Sequence, residues 1–202
     1  MIICITGTPG TGKSLLAKRL QKRFAAQILP INDILVKEGL SWGYDRKRKT
    51  HDIRPETFKK RVLEEIKAFN GKLGQELKEN SRVNIQAREA EAFFRQASRE
   101  PSLFWEKLST KPAKKTLSKA GRTAQTIPAV LIIDSHLSHL TPPSKVDWCL
   151  ITTTSLAALN RRLKKRGYNA IKIKENLEAE AFETCKIEAL EGGHRSIVLK
   201  TG

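Results

Sequence analysis

Cysteine, methionine and aromatic residues are scarce: the 202-residue chain has three Cys, one Met and only 6% Phe, Trp and Tyr together. Cys4, Cys149 and Cys185 are odd in number, far apart and without Cys-x-x-Cys spacing, which excludes a zinc cluster and a thiol redox pair. They read as small buried apolar residues in a reducing compartment. No run approaches the ~18 consecutive apolar residues of a membrane span, and the opening Met1 to Ile5 is too short for a signal-peptide core. The expectation is a soluble, cytoplasmic protein with no membrane contact. With 39% hydrophobic and 29% charged residues, a wholly disordered chain or a membrane bundle is also excluded. Acidic residues are few, 21 against 38 Lys and Arg, leaving a formal net charge of +17. That imbalance points to a polyanion partner, or to a surface adapted to salt or heat.

What the chain does contain is an alternation of short apolar runs and helical spacings. Ile2 to Thr6, Gln27 to Ile31, Ala129 to Asp134, Trp148 to Thr152 and Ser196 to Leu199 are continuous apolar runs, the pattern of parallel strands buried on both faces. Helices are predicted from Lys13, from Asn32 or Asp33 as a cap through about Glu38, over Ser155 to Arg166 and over Ile171 to Leu190. The fold class is therefore α/β: a three-layer, doubly wound domain on a parallel five-stranded sheet, with ligands at the carboxyl ends of the strands. Residues 67–127 break the rhythm. Leu73, Leu77, Phe93, Phe94, Leu103 and Phe104 suggest helices, and Lys107 to Gln125 carries six Lys and Arg with no acid. The organisation read from this is core over 1–66, a basic helical insertion over 67–127, and the rest of the core over 128–202.

Gly7-Thr8-Pro9-Gly10-Thr11-Gly12-Lys13-Ser14 fits Gly-x-x-x-x-Gly-Lys-Ser/Thr and lies between a predicted strand and a predicted helix. The glycines let consecutive amides turn inward around phosphate oxygens, reinforced by the positive end of the following helix. Lys13 is expected to bridge β- and γ-phosphates and the Ser14 hydroxyl to ligate magnesium, so ATP and Mg2+ are the implied ligands. The residues expected on the nucleotide are Gly7, Pro9, Gly10, Thr11, Gly12, Lys13, Ser14 and Leu15.

Asp134 closes the strongest downstream strand, where such a site keeps an acid that holds magnesium through water; the alternative is an ordinary helix cap. His136 follows two residues later. It is either a solvated loop histidine or an imidazole beside the γ-phosphate that orients water or accepts a proton.

Three segments together resemble the adenylate kinase isoenzyme 6 family. They are the loop with its Thr8-Pro9-Gly10 variant, the stretch from Asp33-Ile34-Leu35 to Gly43-Tyr44-Asp45, and the stretch from Asp134-Ser135-His136 through Pro142 to Arg162-Leu163 and Arg166-Gly167-Tyr168-Asn169. The resemblance implies a P-loop NTPase of the nucleoside monophosphate kinase type, with adenylate kinase and ATPase activity in maturation of the small ribosomal subunit. It implies Lys13, Asp134, His136 and Arg166 as catalytic residues, Asp134 as the magnesium-associated carboxylate, and Arg162 with Arg166 on a short lid. Asp33, Trp42 and Tyr44 are placed on the acceptor nucleotide. Three residues after Asp33, where the family carries an arginine, this chain has Val36, so the acceptor is AMP or water. The implied partners are ATP, ADP, AMP, ribosomal RNA and a small-subunit platform protein, the last met by acidic residues such as Glu175, Glu178, Glu180 and Glu183.

Basic residues cluster at Arg46 to Lys49, at Lys107 to Arg122 and from Arg161 to Lys174, and phosphate neutralisation by such clusters gives salt-dependent RNA binding. Phe93, Phe94, Phe104 and Trp105 either stack on bases or form the insertion's own core. The second function compatible with these residues is an RNA-binding assembly factor that uses nucleotide as a switch.

Overall fold

A computed structural model describes residues 1–46, 50–79, 81–109 and 128–202. The five apolar runs become β1 (Ile2–Thr6), β2 (Gln27–Leu29), β5 (Leu131–Asp134), β6 (Trp148–Thr153) and β7 (Ser196–Lys200), forming one parallel sheet in the order β2-β5-β1-β6-β7. Alternation along each strand sends neighbouring side chains to opposite faces. Ile3, Ile5, Val130, Ile132, Trp148 and Leu150 pack under α1 (Lys13–Phe24), α4 (Ser81–Arg99) and α5 (Phe104–Ser109). Ile2, Cys4, Leu131, Ile133, Cys149 and Ile151 pack under α2 (Ile31–Lys37), α3 (Pro55–Glu79) and α8 (Thr184–Glu191). Helices therefore cover both faces, as the continuous apolar strands require. Among the described residues no helix is long and apolar enough to cross a membrane.

Several boundaries differ from expectation. The helix after β2 starts at Ile31, with Pro30 in the cap position, so Asn32 and Asp33 lie inside its first turn rather than capping it. The predicted helix over Ile171 to Leu190 is two: α7 (Ala170–Ala181) and α8, separated at Glu183, whose φ of 52° ends one and starts the other. This break has a reason in the packing. It lets the Glu180 carboxylate accept from the Thr154 amide at 2.8 Å while Ala189 reaches the core. Glu180 is thus committed inside the fold and is no surface contact for a partner. An antiparallel hairpin of β3 (Gly43–Asp45) and β4 (Thr50–Asp52) stands apart from the main sheet. Neither strand is long or apolar enough to have stood out in the sequence.

The expected boundary between residues 66 and 67 falls inside α3, and Phe58, Val62, Ile66 and Phe69 are all buried against the sheet. The aromatics of α4 and α5 likewise enter the main core rather than a core of their own. Phe94 lies 5.9 Å from Phe24 and 6.0 Å from Trp148 between ring centroids, and Phe93 lies 5.4 Å from Phe104. Phe94 and Phe104 are fully buried, and the partly buried Phe93 packs edge-on against both. The expected basic arm beyond Ser109, and Lys47 to Lys49, lie outside the described residues.

Candidate functional site

Parallel pairing of β1 with β5 brings the two motifs together, because Ile5 and Asp134 are register partners and Gly7 begins the loop two residues further on. The loop turns through Gly7, Gly10 and Gly12 at φ of 134°, 99° and 100°, a region open to glycine at little cost. A Cβ at Gly7 would lie 2.3 Å from the Thr152 carbonyl oxygen, and one at Gly10 would lie 2.8 Å from Leu159 Cδ1. Side chains hold the loop from below. The buried Thr11 hydroxyl donates to the Thr8 carbonyl at 2.8 Å and meets the Thr152 hydroxyl at 2.7 Å. Thr201 donates to the Thr11 carbonyl at 2.6 Å, and Arg162 donates to the Gly10 carbonyl at 3.3 Å and to Thr201 at 3.1 Å. With loop carbonyls taken up by these donors, and α1 starting at Lys13 behind Gly12, the loop offers amide N–H groups and a helix N-terminus to an anion.

A cleft of about 650 Å³ opens over the loop. Pro9, Gly10, Gly12, Lys13, Ser14, Asp33, Asp134, His136 and Arg166 all line it. Lys13 Nζ donates to the carbonyls of Gly7 at 2.7 Å and Thr8 at 3.0 Å, and burial lowers its pKa to about 8. Asp134 bonds to the Ser14 hydroxyl; burial raises its carboxyl above the usual range, against the pull of Ser14 and Lys13. His136 is pushed down to about 4, by burial first and then by the charges of Lys13, His139 and Lys172. At neutral pH it is therefore an uncharged imidazole, able to accept a proton. Asn32 Nδ2 lies 3.5 Å from His136 Nδ1, and the Ser135 hydroxyl donates to Asn32 Oδ1 at 2.9 Å, which orients that amide.

Other expected residues lie elsewhere. Thr11 is buried beneath the loop and Gly7 at its root. Leu15 is 56% exposed and lines, with Arg162 and Trp105, a neighbouring pocket of about 770 Å³ that shares Gly10, Gly12 and Arg166 with the cleft. Trp42 and Tyr44 do not line the cleft: Trp42 is 71% exposed under the Arg54 guanidinium at 4.5 Å, and Tyr44 leans on His51 at 5.0 Å. Their hairpin partners His51 and Asp52 line it instead. Cys4 and Cys149 are buried as expected, but Cys185 is only partly so and lines the cleft.

Asn32, Lys172 and Cys185 also line the cleft, outside the residues expected there. For Lys172 a signal was present. Asn169 caps α7 by accepting from the Lys172 amide at 2.8 Å, and this fixes Lys172 in the first turn, 4.4 Å over the Tyr168 ring and on the cleft wall.

Residues 3–183 match the AAA domain family. A Methanosarcina mazei protein named "Putative adenylate kinase" is 29% identical over 194 residues, spanning 95% of this chain and 74% of its own. A Schizosaccharomyces pombe protein named "Adenylate kinase isoenzyme 6 homolog" is 27% identical over 198 residues, spanning 98% of this chain and 79% of its own. Among solved structures, TT1252 from Thermus thermophilus aligns with a TM-score of 0.43 and 17% identity over 100% of this chain and 88% of that one.

Proposed function

The chain belongs to the AAA domain family, and from that premise we propose that it is a magnesium-dependent kinase of the adenylate kinase type, moving the γ-phosphoryl group of ATP to AMP, with water as the competing acceptor. The observation that carries this reading is the convergence of Lys13, Asp134 and His136, with Arg166, on one cleft above the loop. The resemblance of three segments to the adenylate kinase isoenzyme 6 family, and the names of the relatives, support the same reaction class.

Each side chain has a task in that reaction. Loop amides of Gly10, Gly12, Lys13 and Ser14 and the Lys13 ammonium hold the β- and γ-phosphates. The hydroxyl of Ser14 and the carboxylate of Asp134, in contact with each other, are hard oxygen donors of the kind magnesium takes. They would hold the ion, Asp134 through water, and the ion when bound neutralises charge on the phosphate oxygens. Arg166 compensates charge that spreads as the γ-phosphorus leaves the β-bridging oxygen and bonds to an oxygen of the AMP phosphate, giving two ADP, while Arg162 fastens the loop through the Gly10 carbonyl. When water is the acceptor, neutral His136 takes its proton. The pocket lined by Leu15, Trp105 and Arg162 adjoins the loop and suits the nucleoside half of ATP. Asp33, with His51 and Asp52, faces the acceptor side.

A coupled assay with ATP and magnesium, with and without AMP, tests the reading: ADP should form faster with AMP present, and Lys13→Ala should abolish turnover. ATP hydrolysis and ADP formation that both persist at the wild-type rate in that variant would overturn the site.

A second reading, action on ribosomal RNA in small-subunit maturation with a platform protein as partner, is favoured by one feature. Arg161, Lys164, Lys165 and Arg166 are all exposed along one helix, α6 (Leu156–Lys165), and its end. In its extreme form the protein is an RNA-bound switch with little catalysis. Binding of a ribosomal RNA fragment should then respond to ATP or ADP and weaken steeply with salt, and deleting residues 107–122 should lower both affinity and salt slope. Turnover at background together with nucleotide-dependent RNA binding selects the switch.

A further inference from the structure

Among the described residues, four carboxylates and three Lys or Arg side chains line the cleft: Asp33, Asp52, Asp134 and Glu175 against Lys13, Arg166 and Lys172. Lys13 is tied to the loop, and Arg166 closes the end of α6. Lys172 comes from a third element, the first turn of α7, and its position is fixed from three sides. The Asn169 side chain accepts from the Lys172 amide at 2.8 Å, the buried Asn176 donates to the Lys172 carbonyl at 2.5 Å, and the Lys172 ammonium lies 4.4 Å over the ring of Tyr168, which also lines the cleft. Lys172 is half-buried, and a lysine packed in this way loses less rotamer freedom on taking a ligand than one free in solvent. After burial and the charges of Lys13 and His139, Lys172 also lowers the His136 pKa, so its ammonium stands within electrostatic reach of the middle of the cleft.

The acceptor side needs such a charge. Asp33 and Asp52 stand there with His51, whose Nδ1 lies 3.2 Å from the Ser41 hydroxyl. A phosphate monoester carries about −1.5 to −2 charges near neutral pH, and two carboxylates repel it unless a cation meets it. Lys13 and Arg166 are taken up in the same reaction by the triphosphate. We propose that Lys172 grips the phosphate of the acceptor nucleotide, selecting a phosphate monoester over an uncharged nucleoside. The inference rests on the reading of this cleft as the seat of phosphoryl transfer from ATP to AMP, and names the residue that recognises the acceptor's charge. Lysine meets phosphate as a point charge, so Lys172→Met, which keeps the apolar stem over Tyr168 and removes the charge, isolates the contact.

The test is steady-state ADP formation by the full chain, with ATP and AMP varied in turn and adenosine added as a competitor of AMP. Lys172→Met should raise KM for AMP about tenfold, the loss of one charge-assisted hydrogen bond, and leave KM for ATP close to wild type. Adenosine has no phosphate, so its inhibition constant should be the same in both proteins. Lys174→Met, on the same helix but 78% exposed and paired with Glu178, should change neither KM. Four results overturn the proposal. An unchanged KM for AMP in Lys172→Met, or an equal rise in KM for ATP, denies the contact with the acceptor. Adenosine weakened as much as AMP shows that Lys172 shapes the pocket instead, and an equal effect of Lys174→Met shows a long-range field. Wild-type protein that forms ADP no faster with AMP than without removes the reading of the cleft, and the proposal falls with it; where AMP does accelerate wild type, any of the four results removes Lys172 alone.

Discussion

The Lys13 ammonium rests on the Gly7 carbonyl at 2.7 Å, tethered to the root of the loop whose phosphates it is expected to meet. Burial is the main reason it sheds its proton at about 8 rather than 10.5; Cys185, Asp134 and Glu180 pull the other way. A neutral lysine offers no charge to a triphosphate. In steady-state measurements, kcat/KM for ATP, which reports the free enzyme, should stay flat to about pH 8 and then fall roughly tenfold per pH unit. Lys13→Arg, charged throughout, should lose that alkaline limb even if its rate is lower. Stability should move in the opposite sense. Between about pH 8 and 10.5 the unfolded chain holds this proton and the folded one does not, so the contribution of Lys13 to stability rises with pH there.

His136 gives the same kind of linkage on the acid side. Its folded pKa is about 4 against an ordinary 6.5, so between these values the unfolded chain binds a proton that the folded chain refuses. Stability should therefore fall as pH drops from about 6.5 toward 4. Urea midpoints at neutral pH and near pH 4.5 should differ less in His136→Gln than in wild type. Some slope should remain, since burial also lowers the pKa of His139.

The two tightest glycines of the loop should respond differently to alanine. Both stand at φ values that non-glycine residues reach only with strain, roughly 1–3 kcal/mol each. At Gly7 the new Cβ meets main chain, the Thr152 carbonyl at 2.3 Å, whereas at Gly10 it meets the terminal methyl of Leu159 at 2.8 Å, which can swing aside. Gly7→Ala should melt several degrees lower than Gly10→Ala and lose nucleotide binding altogether. Gly10→Ala should keep weak binding in a titration with ATP. Equal melting of the two would contradict the contact distances.

What could be read in the sequence was what local rules govern. The strands were visible because both of their faces are buried, which makes Ile2 to Thr6 or Ala129 to Asp134 continuous rather than alternating. Pairing β1 with β5 then placed Asp134 beside the loop. The break at Glu183 was invisible because no glycine marks it; a buried bond between Glu180 and the Thr154 amide, across 26 positions, decides it. The same holds for Trp42 and Tyr44. Their hairpin pairs Tyr44 with His51, and it is the second strand, through His51 and Asp52, that lines the cleft. His139 could not be found by spacing at all, since its partners Thr6 and Glu188 lie 133 positions before it and on a later helix.

Phe94 tests whether the helices after residue 67 belong to the core or ride on it. Its ring is fully buried between Phe24 of α1 and Trp148 of β6, and Trp148 is itself tied to α4 through a 2.8 Å bond from its indole to Glu91. Removing such a side chain forfeits transfer free energy and leaves a cavity, about 3–5 kcal/mol in total. A helical unit folded on its own would confine that loss to itself. Because Phe94 is shared with the sheet, Phe94→Ala should shift a single cooperative transition, with far-ultraviolet and near-ultraviolet circular dichroism moving together to a lower urea midpoint and an unchanged slope. Two separated transitions, with nucleotide affinity following only the later one, would show instead that α4 folds apart from the sheet that carries the loop.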